Sequence, residues 1–150
     1  MEKIEISKEE ALRLKYRLKG IELTKVVAGL IEKDNKYLIA KRLTGNELVV
    51  GKWEFPGGKV EEGEEESKAI EREIKEEFNL SIKALENLTC VIYEYPNKTV
   101  DIRLWKATVE GDNFSMDEND HDAYKWVTFE EIENYDLCPA DRELYNKIKS

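Results

Sequence analysis

Three glutamates near the middle of the chain, Glu73, Glu76 and Glu77, have a spacing that is suited to chemistry. Positions i, i+3 and i+4 share one face of a helix, so the three carboxylates would lie side by side. Their mutual repulsion costs helix stability, and a bound divalent cation would offset that cost. Mg²⁺ prefers hard oxygen ligands, and beside a phosphate it can neutralise charge and activate water.

The surrounding stretch, residues 58–80, contains nine glutamates and four basic residues. Pro56-Gly57-Gly58 lets the backbone approach a ligand closely, and a glycine carbonyl can then serve as a further metal ligand. Arg72 can hold a neighbouring carboxylate through a bidentate pair. A glutamate-rich helix is usually just a solvated face, but the fixed offsets of Gly58, Glu64, Arg72 and the three glutamates favour a site.

Those offsets resemble the signature of the Nudix hydrolase family, G-x5-E-x7-R-E-U-x-E-E-x-G-U, where U is aliphatic. The matching residues are Gly58, Glu64, Arg72, Glu73, Ile74, Glu76, Glu77 and Leu80. Asn79 stands where the family has glycine, and since asparagine also tolerates a left-handed helix end, we expect the turn to survive. The stretch WEFPGGKVEEGE resembles the MutT-like and CTP pyrophosphohydrolase-like branch.

The resemblance implies roles for particular residues. The implied metal ligands are the Gly57 carbonyl, Glu73, Glu76, Glu77 and Asp120, with Mg²⁺ as the metal and Mn²⁺ as a substitute. The implied catalytic residues are Arg72, Glu73, Glu76, Glu77 and Asp120, and Arg72 would brace the loop together with Glu64. The implied substrate-binding residues are Arg42, Phe55, Lys59, Phe78 and Asp141.

Three of these assignments have a plain structural alternative. Asp120 lies in the polar segment 117–122, which could be a solvated loop. Asp141 could be only the N-cap of the last helix. Arg42 could be an exposed charge at a strand end.

Composition bounds the class of protein. The 150 residues carry a net charge of −9, which does not attract a nucleic-acid backbone. The sequence has no apolar run of membrane-spanning length and no apolar signal-peptide segment at its start, so we expect a cytoplasmic protein. Cys90 and Cys138 lack metal-site spacing and are expected to be reduced thiols.

The elements that must position the site are predicted from periodicity and turn residues. Helices are expected at 7–19, 66–78, 129–134 and 141–149. Strands are expected at 24–32, 36–42, 53–55, 81–95, 99–109 and 124–128. The family resemblance implies an α/β/α sandwich with a mixed sheet over residues 23–150. Residues 1–22 form a helical extension that either caps the sandwich or makes a dimer contact, so the protein is a monomer or a homodimer.

The implied function is metal-dependent hydrolysis of a nucleoside triphosphate to the monophosphate and pyrophosphate. CTP or dCTP and oxidised guanine nucleotides such as 8-oxo-dGTP are the two leading substrates. One alternative is another nucleoside diphosphate compound, namely ADP-ribose, a nucleotide sugar or a dinucleoside polyphosphate. Another is a non-catalytic Nudix module that senses a ligand.

Overall fold

A mixed seven-stranded sheet organises the chain in the computed structural model, which describes residues 5–111 and 121–149, and for 121 and 122 the backbone alone. The strands are β1 Leu23–Lys33, β2 Lys36–Arg42, β3 Trp53–Glu54, β4 Gly57–Lys59, β5 Ser81–Tyr95, β6 Lys98–Glu110 and β7 His121–Val127. The helices are α1 Lys8–Leu18, α2 Glu66–Phe78 and α3 Pro139–Lys149, with a 3-10 helix at Glu130–Asn134.

Strand pairing divides the sheet around β1. β1 pairs with β2 only at its end, through Glu32 and Lys33. Its earlier residues pair with β4 on one side and, in parallel, with β6 on the other. The other residues of β2 pair with β3 and β7. The two halves of the sheet therefore separate beyond the β1–β2 hairpin.

Helices cover both faces of this sheet, as the resemblance implied. α2 buries Ala69, Ile70, Ile74 and Phe78 against one face. α3 buries Ala140, Leu144 and Tyr145 against the other, together with Ile132 of the 3-10 helix. The result is an α/β/α arrangement with one apolar cluster on each side of the sheet.

Local signals explain several boundaries. The Ser7 hydroxyl accepts from the Glu10 N–H at 3.0 Å and caps α1. Asp34 and Asn35 both take left-handed conformations, with φ of 52° and 63°, in the tight β1–β2 turn. Pro139, rather than Asp141, begins α3, as suits a residue without an N–H. Asp141 is therefore in the first turn of the helix and is not its N-cap.

The strand β4 was not predicted, because glycine has a low strand propensity. β4 lies so close to β1 that residue 57 must be a glycine. A Cβ on Gly57 would overlap the Val27 carbonyl oxygen. The residues that were predicted to form a glycine turn therefore include a short strand that pairs with β1.

Asn79 ends α2 in the left-handed conformation, with φ of 52° and ψ of 35°, and its N–H donates to the Lys75 carbonyl at 3.0 Å. We expect Asn79→Gly to raise the free energy of unfolding by about 0.5 kcal/mol, because glycine adopts this conformation at less cost. Asn79→Ala should lower it by about 1 kcal/mol. Urea denaturation measures both, and equal stability of the two variants would contradict this account of the helix end.

Candidate active site

A cleft of about 390 Å³ opens where the two halves of the sheet separate. Its walls come from β1, β4 and β6, from the segment after β2, and from the start of α3. Glu77 of α2 also faces it. Six of the residues implied by the resemblance line this cleft: Arg42, Phe55, Gly57, Lys59, Glu77 and Asp141. The fold therefore brings together side chains that are up to a hundred positions apart in the sequence.

Arg72 is the centre of the charged cluster beside the cleft. Its Nε and Nη2 donate to the two carboxylate oxygens of Glu64, at 2.7 and 2.9 Å. Its Nη1 donates to Glu73 at 3.0 Å and to Glu76 at 3.3 Å, and its Nη2 also reaches the Lys59 carbonyl at 3.1 Å. One guanidinium thus joins the loop before α2, the helix itself and β4.

These contacts shift the titration of the partners in opposite directions. The hydrogen bonds from Arg72 lower the pKa of Glu64 to about 2, so that carboxylate is ionised at any physiological pH. Burial raises the pKa of Glu73 above its ordinary value and outweighs the lowering effect of Arg72. Glu73 and Glu64 therefore titrate differently, although the same arginine holds both.

Gly58 leaves space for the Glu73 carboxylate. A Cβ at residue 58 would overlap the Glu73 carboxylate, so any other residue there would displace this carboxylate from its observed position. The fixed spacing of Gly58 and Glu73 in the sequence therefore has a direct steric reason.

Among the residues that the structure describes, no three His, Cys, Asp or Glu side chains form a group that could hold a metal ion. Arg72 contacts Glu73 and Glu76. It therefore offsets part of the repulsion between the glutamates, a role that the sequence analysis gave to a bound cation. The donor set nevertheless fits one, because carboxylates and a glycine carbonyl are the oxygen ligands that Mg²⁺ and Mn²⁺ prefer. Glu77 and Gly57 already face the same cleft.

The base of α3 carries a second acidic group. Asp141 is 6% exposed, and its Oδ2 accepts from the Phe55 N–H at 2.9 Å. Burial, and then the negative charge of Glu54, raise the pKa of Asp141 to about 8. The raised pKa favours the protonated form of this carboxyl, which can donate as well as accept.

Four described residues to which the resemblance gives a catalytic, metal-binding or substrate-binding role do not line the cleft: Arg72, Glu73, Glu76 and Phe78. Phe78 was expected to line the pocket, but it is fully buried between α2 and the sheet. Phe78 follows Ile70 and Ile74 at intervals of four and therefore lies on the apolar face of α2. The prediction that Phe78 lines the nucleotide pocket is corrected accordingly: it is a core residue. Asp120 lies outside the described residues.

Sequence reasoning missed several residues that line the cleft. Glu54 pairs with Arg42, with Oε2 and Nη1 3.2 Å apart. The Tyr95 hydroxyl accepts from the Ala140 N–H at 3.3 Å, and Lys98 lies three residues further along the chain. The charge at Glu54, between Trp53 and Phe55, was the one local signal, because a carboxylate in a short apolar strand needs a partner.

Comparison with known proteins agrees with this geometry. The NUDIX domain family profile matches residues 23–148. A CTP pyrophosphohydrolase of Escherichia coli is 32% identical over 124 residues, which cover 83% of this chain and 90% of that protein. A putative 8-oxo-dGTP diphosphatase 2 of Mycobacterium tuberculosis is 38% identical over 118 residues, covering 78% and 82% of the two chains.

Solved structures show the same fold. The MutT protein from Methanosarcina mazei Go1 superposes with a TM-score of 0.74 at 25% identity, covering 85% of this chain and 93% of that one. The cleft beside α2, the Arg72 cluster and these similarities lead to one conclusion: the chain belongs to the NUDIX domain family and is a Nudix hydrolase.

Proposed function

We propose that this chain hydrolyses a nucleoside triphosphate to the monophosphate and pyrophosphate with the help of Mg²⁺, for which Mn²⁺ substitutes. The observation that carries the proposal is the lining of the cleft. Three basic residues, Arg42, Lys59 and Lys98, face it together with Glu77 and the carboxyl group of Asp141. Cations suit a polyphosphate, and a neutral carboxyl suits a base edge.

The metal would be held by Glu73, Glu76, Glu77 and the Gly57 carbonyl, together with Asp120 outside the described residues, as the resemblance implies. When bound, it supplies charge neutralisation and an activated water. Arg72 positions this set, because it holds Glu64 in the preceding loop and Glu73 and Glu76 on the helix. Arg42 and Lys59 would bind and orient the phosphates, so most of the acceleration would come from positioning and electrostatics.

The protonation state of Asp141 decides which hydrogen-bonding pattern it offers to a base. A neutral carboxyl donates through one oxygen and accepts through the other, which matches the cytosine edge with its N3 acceptor and amino donor. It also matches an oxidised guanine that presents N7–H beside O6. Guanine offers such a pair in N1–H and O6, and adenine in its amino group and N1, so the carboxyl alone does not select the base. Cytosine and 8-oxoguanine nucleotides are the leading candidates because similar proteins are a CTP pyrophosphohydrolase and a putative 8-oxo-dGTP diphosphatase.

Further features of the proposal concern location and partners. None of the helices in the described part of the chain is long and apolar enough to cross a membrane. We propose a cytoplasmic enzyme, monomeric or homodimeric, that acts on free nucleotides. The net charge of −9 supports this, because it does not favour a nucleic-acid partner.

A substrate panel with Mg²⁺ tests the proposal. It contains CTP, dCTP, dGTP, 8-oxo-dGTP, ADP-ribose, a nucleotide sugar and a dinucleoside polyphosphate, and chromatography identifies the products. We expect pyrophosphate and a monophosphate from a cytosine or 8-oxoguanine nucleotide. Cleavage of ADP-ribose or a dinucleotide without any triphosphate cleavage would contradict the proposed substrate class.

Glu77→Gln tests whether the acidic face of α2 is catalytic. We expect turnover to fall by about a hundredfold or more, because the amide loses the charge that would hold a cation in the cleft. Glu62→Gln is the matched control, since Glu62 is exposed in the loop before α2, and it should keep its activity. Circular dichroism checks that both variants fold. Unchanged turnover in folded Glu77→Gln would contradict the assignment of Glu77 as a metal ligand.

The raised pKa of Asp141 predicts a pH-dependent Michaelis constant. Below about pH 8 the carboxyl is neutral and donates to the base, and above it the donor is lost, so KM should rise with pH. Asn keeps a donor and an acceptor at every pH, so Asp141→Asn should flatten this rise. The measurement is kcat/KM for the preferred nucleotide between about pH 6 and 10. Identical profiles in the two proteins would show that Asp141 does not read the base.

A further inference from the structure

α1 lies before the residues that match the family profile, and a polar contact anchors it to the sheet. The Arg13 guanidinium donates to both carboxylate oxygens of Asp101 on β6, at 2.8 Å from Nε and 3.3 Å from Nη2. Asp101 is 4% exposed, whereas α1 itself has no buried residue. The helix therefore docks through polar contacts, since Tyr16 also donates to Glu94 and Lys147 of α3 donates to Glu9, and the Arg13 pair is the one that reaches a buried carboxylate.

The ion pair continues into a network that reaches α2. Asp101 also accepts from Arg103 at 3.1 Å, and Arg103 pairs in turn with Glu66 in the first turn of α2. Glu66 further accepts from the Trp105 indole N–H at 3.0 Å and lies 3.3 Å from the Lys25 ammonium on β1. Four elements, α1, β1, β6 and α2, are thereby joined by charged side chains.

This network lies behind a wall of the cleft. Side chains alternate along a strand, so Asp101 lies on the opposite face of β6 from Val100 and Ile102, which both line the cleft. On β1, Lys25 likewise lies on the opposite face of the strand from Val26, which also lines the cleft. The network thus holds, from the outer side, the two strands that form the apolar part of the wall.

We propose that Arg13 is a positioning residue for the cleft: by holding Asp101 it fixes the part of β6 whose opposite side chains contact the substrate. The proposal rests on the proposed nucleotide function for its kinetic readout. Without Arg13, Asp101 keeps Arg103 as a partner, so the chain still folds. Asp101 then turns toward Arg103 and water, and because β1 and β5 keep β6 in the sheet, the shift is confined to the side chains and local backbone around residues 100–102.

The experiment compares Arg13→Ala and Arg13→Lys with Arg17→Ala, an exposed basic residue on the same helix. In Arg13→Ala we expect KM for the cleaved nucleotide to rise about tenfold while kcat stays within about twofold, because the wall moves and the reacting groups on α2 do not. Lysine keeps the charge but loses the bidentate contact, so Arg13→Lys should recover part of the loss. Arg17→Ala should match the wild type.

Methyl and indole NMR spectra provide a readout that does not need activity. The methyl signals of Val100 and Ile102 and the indole N–H of Trp105 should shift in Arg13→Ala and not in Arg17→Ala. If no nucleotide of the panel is cleaved but these signals shift, the proposed function fails and the positioning role stands. Unshifted methyl signals, or a KM unchanged in both Arg13 variants, would overturn the proposal and leave Arg13 as a stability contact alone.

Discussion

The interaction on which the rest of the structure depends is the set of hydrogen bonds around the Arg72 guanidinium. It ties Glu64 in the loop, Glu73 and Glu76 on α2, and the Lys59 carbonyl on β4 into one unit. Three carboxylates within reach of one cation would otherwise repel each other and spread the loop away from the helix. Because Arg72 holds them, the acidic face of α2 lies beside the cleft in a defined position.

The sheet provides the space that this acidic face needs. β1 leaves β2 after a short pairing and turns to β4 and β6, and the cleft opens between the two halves. The glycines of β4 allow the closest approach, since side chains at Gly57 and Gly58 would overlap the Val27 carbonyl and the Glu73 carboxylate. Gly57 therefore allows β4 to pair closely with β1, and Gly58 leaves the space that the Glu73 carboxylate occupies.

Much of this could be predicted from the sequence where the signal is local. The Ser7 cap, the Asp34-Asn35 turn and the bounds of α2 follow from residues that are neighbours in the chain. The parallel pairing of β1 with β6, the burial of Phe78 and the contact of Asp141 with the Phe55 N–H could not be predicted, because they depend on contacts between distant segments. The same holds for the network through Arg13, whose partner Asp101 is 88 positions away.

The central claim is that the acidic face of α2 binds a divalent cation beside a nucleotide in this cleft. Crystals grown with Mn²⁺ and a non-hydrolysable nucleoside triphosphate test it most directly, because manganese gives an anomalous signal. The account predicts an anomalous peak between the phosphates and the carboxylates of Glu73, Glu76 and Glu77. A bound nucleotide without such a peak, or a peak held by other residues, would contradict it.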